Sequence, residues 1–350
     1  MTKHLYLHIP FCNQICTFCD FKRIKTNSYE LMQNFVNDLI RQIQLTSVPH
    51  QYTTIYLGGG TPNHLPDDLL AKLLECLQQY LDDTNNYEFT IECNPDLVTQ
   101  TQIDVYKKYG LNRVSLGAQI LNNKTLKILR REHNADHIQQ AIDLLYQNDL
   151  TNVSLDFIYN LPNETYADLD DIFNFVHKNN IKHVSFYALE LKPNSIMTKS
   201  KYHLDLDKEE DQMEYIEQKF QELGYHRYEV SNWCLAPEYE SQHNKCYWLS
   251  RDWKALGYGA SGFEHQHSYV ITNKIPEPVA EVEKVSDKDW YFQILMMGLR
   301  LSAGLPLNQE PYKAAYEFYK DRLINCQIVD GYLRVNNLDL LDDTLLALMD

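Results

Sequence analysis

Short apolar runs rich in β-branched and aromatic residues alternate with longer stretches of helical period through the first two-thirds of the chain. The runs predict buried strands over residues 5–9, 54–57, 88–92, 113–116, 153–158 and 183–189. Between them, helices are expected over 29–45, where Leu31, Phe35, Leu39 and Ile43 recur at fourfold spacing, and over 69–81, with Leu70, Leu73, Leu74 and Leu77. Residues 135–146, 166–178 and 209–223 follow the same pattern. Pro66-Asp67-Asp68, and Thr165 with Asp168 three residues on, mark helix starts.

Six β-then-α units in series imply a parallel sheet with right-handed crossovers. An open doubly wound sheet and a barrel both fit. The polar residues favour the barrel: the Gly58-Gly-Gly-Thr61 loop, Glu92, Gln119, Asp156 and Glu190 all fall at the C-terminal ends of predicted strands. A barrel gathers those ends around one mouth, whereas an open sheet strings them along a line. The expected fold is therefore α/β, a partial TIM-like (β/α)6 barrel, over residues 1–233.

Beyond residue 225 the alternation stops. Residues 228–233 are expected to form a last strand, 234–269 a loop-like stretch rich in Gly, aromatics and His, and Ile275-Pro-Glu-Pro278 a connector. Residues 234–289 thus read as a connecting segment. Residues 290–350 read as a small, mostly α, winged-helix-like domain: helices over 293–301 and 312–323, a hairpin over 327–335 turning at Asp330-Gly331, and a last helix. No internal repeat beyond the βα alternation and no low-complexity tract is present.

The chain has 350 residues, 44% of them apolar and 23% charged, so it can bury a large core. A net charge of −16 argues against nucleic acid or an anionic membrane surface as the main partner. No run approaches the ~18 apolar residues of a membrane span. Residues 1–10 lack a signal-peptide cleavage pattern, so a cytoplasmic location is expected, where thiols stay reduced.

That expectation gives weight to Cys12, Cys16 and Cys19, three of the eight cysteines, in a Cys-x3-Cys-x2-Cys array directly after the first strand. Spacing alone leaves three readings: an iron–sulfur cluster with one open iron, a zinc site short of a fourth ligand, or three buried thiols. The segment's place at a strand end favours the first. Gly58-Gly-Gly-Thr-Pro62 lacks the Lys of a phosphate loop and the spacing of a dinucleotide fingerprint. A backbone surface receiving a flat or amino-acid-like ligand fits it better.

The cysteine array followed by Gly-Gly-Gly-Thr-Pro after the second strand resembles the radical S-adenosylmethionine (SAM) superfamily. Tyr6-Leu-His-Ile-Pro-Phe-Cys12, Glu92-Cys-Asn-Pro95, Arg113-Val-Ser-Leu-Gly-Ala-Gln119, Asp156-Phe-Ile-Tyr-Asn-Leu-Pro162, Tyr228-Glu-Val-Ser-Asn232 and His243-Asn-Lys-Cys-Tyr-Trp248 resemble oxygen-independent coproporphyrinogen III oxidases and their heme-chaperone relatives. The likeness spans about residues 4–262. It implies a [4Fe-4S] cluster on Cys12, Cys16 and Cys19 whose open iron chelates SAM, and an electron donor that lets the cluster cleave the sulfonium to methionine and a 5′-deoxyadenosyl radical. It places Tyr6, Phe18, Gly59, Gly60, Thr61, Glu92, Gln119, Arg131 and Asp156 around SAM. Asn160 stands where the family string often has Gly, a departure expected to touch a turn and not the chemistry.

Within that family, oxidases continue the array with a further Cys-x-Cys step and carry an N-terminal extension. Here Cys19 is followed by Asp20-Phe21, and 11 residues precede Cys12. The array, with His243-Asn-x-x-Tyr-Trp248, resembles HemW-type heme chaperones. That resemblance implies heme as ligand, an acceptor protein to receive it, and His243, Tyr247 and Cys246 as heme-binding candidates. Imidazole is the commonest protein ligand to heme iron, and Tyr247 and Trp248 offer flat apolar surface. A porphyrinogen decarboxylase and a zinc- or cluster-stabilised structural protein without turnover remain the alternatives. No catalytic residue is singled out, and turnover of SAM is left open.

Overall fold

The computed structural model describes residues 1–84, 86–272 and 280–349. Six strands, β1 (His4–Ile9), β2 (Thr54–Gly59), β3 (Glu88–Cys93), β4 (Arg113–Gln119), β5 (Val153–Tyr159) and β6 (His183–Ala188), lie parallel and side by side in chain order. That order keeps every crossover running the same way, which is the winding of a barrel and not of a doubly wound sheet. Closure is incomplete. The free edge of β6 pairs antiparallel with β8 (Asn232–Cys234), itself paired with β7 (His226–Glu229). The free edge of β1 pairs parallel with β9 (Trp253–Leu256), followed by β10 (Ser261–Glu264), β11 (His267–Ile271) and β12 (Ala280–Lys284). Among the described residues the outermost strands β7 and β12 do not meet, so one 12-stranded sheet stays open.

The strands alternate strictly. Leu5, Leu7, Ile9, Ile55, Leu57, Phe89, Ile91, Val114, Leu116, Leu155, Phe157, Val184 and Phe186 are at most 1% exposed and form one core with the helices. Each such side chain contributes about 1.5–3 kcal/mol relative to exposure. The intervening positions carry Tyr6, His8, Tyr56, Thr90, Glu92, Arg113, Ser115, Ser154, Asp156, His183 and Ser185. Side chains alternate across a pleat, so these share the opposite face, inside the barrel.

Helices α1 (Tyr29–Thr46), α2 (Asp67–Gln78), α3 (Gln100–Lys108), α4 (Asn123–Ile128), α5 (Ala135–Gln147), α6 (Tyr166–Lys178) and α7 (Leu206–Glu222) accompany the barrel. α6 starts at the expected capping box of Thr165 and Asp168, and α2 directly after Pro66. The stripe expected on α1 shifts: Leu31 is exposed, and Met32, Val36, Leu39 and Ile43 are buried. A strict four-residue repeat drifts about 40° per step on a 3.6-residue helix, so a face is held by mixed steps of three and four.

Two expectations are corrected. The single strand over 228–233 is a tight hairpin, β7 and β8, turning at Val230-Ser231. The stretch 234–269 is not loop-like: it holds α8 (Gln242–Trp248), β9, β10 and part of β11. Its strands are short and glycine-broken, so their period was hard to see. The Ile275–Pro278 connector lies outside the described residues. The last residues form a second core from α9 (Asp287–Gly298), β13 (Leu305–Pro306), α10 (Tyr312–Tyr319), the hairpin β14 (Cys326–Val329) with β15 (Tyr332–Val335), and α11 (Leu341–Met349). This is the helix, helix, hairpin order of a winged-helix-like unit. Among the described residues no helix is long and apolar enough to cross a membrane.

Candidate functional site

The inner face of the barrel encloses a cavity of about 620 Å3, within the size range of ligand sites. Cys12, Cys16 and Cys19 open onto it from the loop after β1, a short two-strand clasp of Phe11–Cys12 with Ile24–Lys25. Burial pushes the Cys19 thiol up to about 11 and raises that of Cys12, while the Thr61 hydroxyl, 3.7 Å from the Cys12 sulfur, favours its thiolate. Loading metal on these sulfurs therefore releases protons.

The glycine loop after β2 lies directly on the cysteine loop. Gly60 N–H donates to Ile9 O at 2.8 Å and Thr61 N–H to Phe11 O at 2.8 Å. A Cβ on Gly60 would stand 2.7 Å from the Phe11 carbonyl oxygen, and Gly59 has φ +110° with the His8 ring against it. Here the glycines let two backbones touch, a packing reason beside the ligand-approach reason expected from sequence.

All nine residues expected around SAM line this cavity, with the three cysteines. Glu92 accepts from the Tyr56 hydroxyl at 2.9 Å and from Gly59 N–H at 3.1 Å. Burial, with the Asp156 charge adding to it, pushes the Glu92 carboxyl up to about 7. Asp156 accepts from Ser115 at 2.7 Å and Ser154 at 3.2 Å, and burial raises its carboxyl too. Arg131 is held by Asn94 Oδ1 at 2.7 Å, Gly117 O at 3.0 Å and His133 Nδ1 at 3.3 Å, with its other terminal nitrogen 3.4 Å from the Cys16 sulfur. His133 stays neutral, its imidazole lowered to about 3 by burial and by Arg131. Gln119 ends β4 at φ +59°, and its buried Oε1 has no partner among the described residues.

These residues fit the implied groups. Three sulfurs of one loop face this space, while the fourth cysteine of its lining, Cys93, has its sulfur 3.6 Å from the buried Tyr106 hydroxyl, so the loop trio suits a cluster with one open iron. The unpartnered Gln119 Oε1 and the carboxylates of Glu92 and Asp156 await donors, as a ligand with ammonium and hydroxyl groups would supply.

Tyr56, Asn94, Arg113, Ser115, Ser154, His133 and His183 serve this site and were not anticipated. Arg113 is buried, 3.3 Å from His183 Nδ1, and His183 Nε2 meets the Tyr228 hydroxyl at 2.8 Å. For the strand residues among them, Tyr56, Arg113, Ser115, Ser154 and His183, the signal was a polar residue at every second position of otherwise apolar strands.

The heme candidates separate. α8 closes the N-terminal end of the barrel, where Glu88 accepts from the backbone N–H groups of Gln242 at 2.8 Å and His243 at 3.0 Å and from Ser241 Oγ at 3.4 Å. His243 is 1% exposed, stacked on Tyr56 with centroids 5.1 Å apart. Its Nδ1 lies 2.7 Å from the Thr54 hydroxyl, which also meets His4 Nδ1 at 2.9 Å, and its Nε2 lies 2.8 Å from the Tyr247 hydroxyl. Both ring nitrogens are engaged, and burial holds the imidazole neutral. His243 and Tyr247 line the cavity, whereas Cys246 is fully buried and does not. Tyr6, Phe21 and Tyr247 also border a second recess of about 510 Å3, completed by Trp248, Trp253 and Met297 among others.

Comparison with known proteins agrees with this architecture. A family model for the radical SAM superfamily matches residues 6–176. The heme chaperone HemW of Lactococcus lactis is 31% identical over 89% of this chain and 86% of its own length. That of Haemophilus influenzae is 32% identical over 96% and 92%. Coproporphyrinogen III oxidase (HemN) from Escherichia coli, a radical SAM enzyme, superposes over 99% of this chain and 90% of its own with a TM-score of 0.80 at 17% identity, which establishes the shared fold. With relatives this similar over nearly their whole length, and a cysteine array set at the mouth of a partial barrel, the chain belongs to the heme chaperone HemW family of the radical SAM superfamily.

Proposed function

We propose that the chain holds a [4Fe-4S] cluster on Cys12, Cys16 and Cys19, binds SAM beside it, and acts as a heme chaperone that passes heme to an acceptor protein. The carrying observation is that the three thiols and all nine SAM candidates line one cavity. A reduced cluster supplies single electrons when present, and a donor protein or reductant must provide them. Around it, Arg131 is pre-aimed by Asn94, Gly117 and His133 to meet a carboxylate. Glu92 and Asp156 accept from ammonium or ribose hydroxyls. The Gly59-Gly60 backbone admits the ligand without a side chain in the way.

Heme, the cargo, is assigned to the aromatic recess beside Tyr247 and Trp248. His243 acts as a positioning residue: its Nε2 holds the Tyr247 hydroxyl, and neither nitrogen is free for iron. The deciding experiment is anaerobic purification followed by iron, SAM and heme counts, with Cys12, Cys16 and Cys19 each changed to Ser. Four irons and one heme per chain are expected in the wild type, with iron lost in the variants. Release of CO2 from coproporphyrinogen III with SAM and a reductant would overturn the chaperone reading in favour of a decarboxylase. Retention of zinc alone would overturn both.

A further inference from the structure

Outside the barrel cavity, the β7–β8 hairpin brings together three side chains of metal-ligating type. His226 and Cys234 are directly paired across the two strands. Glu240 follows the turn after β8, one residue before Ser241, the N-cap of α8. His226 Nε2 lies 3.3 Å from the Cys234 sulfur and 3.4 Å from Glu240 Oε1, and one ligand atom from each residue falls within 4.8 Å of the others. Tetrahedral zinc with the usual bonds to sulfur, nitrogen and oxygen has ligand–ligand edges of about 3.3–3.6 Å. None of the three lines the SAM cavity.

We propose that His226, Cys234 and Glu240 form a zinc site, with the fourth position open to water. Thiolate, imidazole and carboxylate together suit zinc better than magnesium or calcium. Access is present, because the His226 side chain is 41% exposed and that of Glu240 15%. Lys245 Nζ bonds the other Glu240 oxygen at 2.5 Å and leaves Oε1 facing the imidazole, the role of a group that orients a ligating carboxylate. Zinc displaces the Cys234 thiol proton to buffer, and the thiolate and the carboxylate, the latter shared with Lys245, then face the dication. Occupancy would tie the hairpin to the residue just before the N-cap of α8, and so brace the helix carrying His243 and Tyr247.

The test is zinc content of the cluster-loaded protein, in which the Cys12–Cys16–Cys19 array is already occupied by iron. After exposure to zinc(II) and desalting, elemental analysis is expected to find one zinc per chain in wild type and in the Cys326→Ser control. It is expected to find none in Cys234→Ser or in the half-exposed, structurally mild His226→Ala, with iron unchanged in all four. A zinc-dependent rise in Tm is expected for wild type and lost in both site variants. Wild type that keeps no zinc, or site variants that keep as much as wild type, would overturn the proposal.

Discussion

Glu92 shows how the barrel interior prepares a side chain for a ligand it does not yet hold. Its two donors favour the carboxylate, but burial outweighs them and moves the carboxyl from 4.5 to about 7. Between those values the folded state keeps a proton that the unfolded chain has lost, so this residue makes stability fall as pH rises through that window. Without SAM, Glu92→Gln is expected to flatten the pH dependence of urea unfolding between pH 5 and 7, and to be the more stable protein at pH 8 by about 1–3 kcal/mol. An ammonium beside Glu92 favours the charged form, so SAM affinity is expected to rise across the same window in wild type and not in the variant. A variant titration parallel to wild type would remove Glu92 from the ligand. Asn160 poses a simpler question. It sits at φ +61°, where Asn is tolerated, and its amide donates to Asp205 O at 3.0 Å and Glu209 Oε2 at 3.1 Å. Asn160→Gly loses the bonds alone and Asn160→Ala loses them and strains the backbone, so Ala is expected to cost about 1 kcal/mol more than Gly in chemical denaturation.

At the scale of elements, α8 is the piece whose role changes most between sequence and structure. Its motif was legible as a string, and so was the likeness it carried. That His243 faces inward, clamped between Thr54 and Tyr247, was not, because the partners are 189 and 4 residues away and only the folded sheet brings them together. The cysteine array, the glycine loop and the six strands were readable because each is local: a spacing, a turn, an apolar run. Arg113, Ser115 and His183 went unread as a set because inside-facing positions of a polar-lined barrel look, one strand at a time, like interruptions of a buried run. Glu88 follows the same logic. It is 8% exposed and serves as the acceptor for the start of α8. Glu88→Ala leaves those N–H groups buried and unpaired, and is expected to cost about 2–4 kcal/mol and to open residues 241–248 to proteolysis before the barrel unfolds. Digestion that starts elsewhere, at a wild-type rate, would show that α8 is held by other contacts. The companion variant His243→Ala is expected to weaken hemin binding while leaving the Soret maximum of the bound fraction in place. A shifted maximum would instead make His243 the iron ligand.

For the molecule as a whole, the open sheet raises the question of what covers its seam. The C-terminal core answers part of it. Ser302 N–H donates to Tyr228 O at 3.0 Å, the Tyr312 hydroxyl donates to Leu249 O at 2.8 Å, and Trp290 stacks on Phe263 with centroids 4.9 Å apart. Val230 and Leu249, from the hairpin and the end of α8, pack into that core and not into the barrel's. Arg300 lies over the Trp248 ring at 4.8 Å and Met297 borders the aromatic recess, so the last 65 residues touch the site assigned to heme through Met297 and back its Trp248 through Arg300. A chain ended at residue 285 would expose Phe263, Val230 and Leu249 to water, at about 25 cal/mol per Å2 of surface no longer covered. It is expected to keep its iron, because no described residue beyond 285 lines the cluster cavity. It is also expected to bind a hydrophobic dye more strongly, to unfold at lower temperature, and to lose hemin binding. Iron and heme lost together would mean that barrel and C-terminal core form one cooperative unit, whereas a truncated chain that still takes up hemin at wild-type stoichiometry would move the cargo site away from the seam.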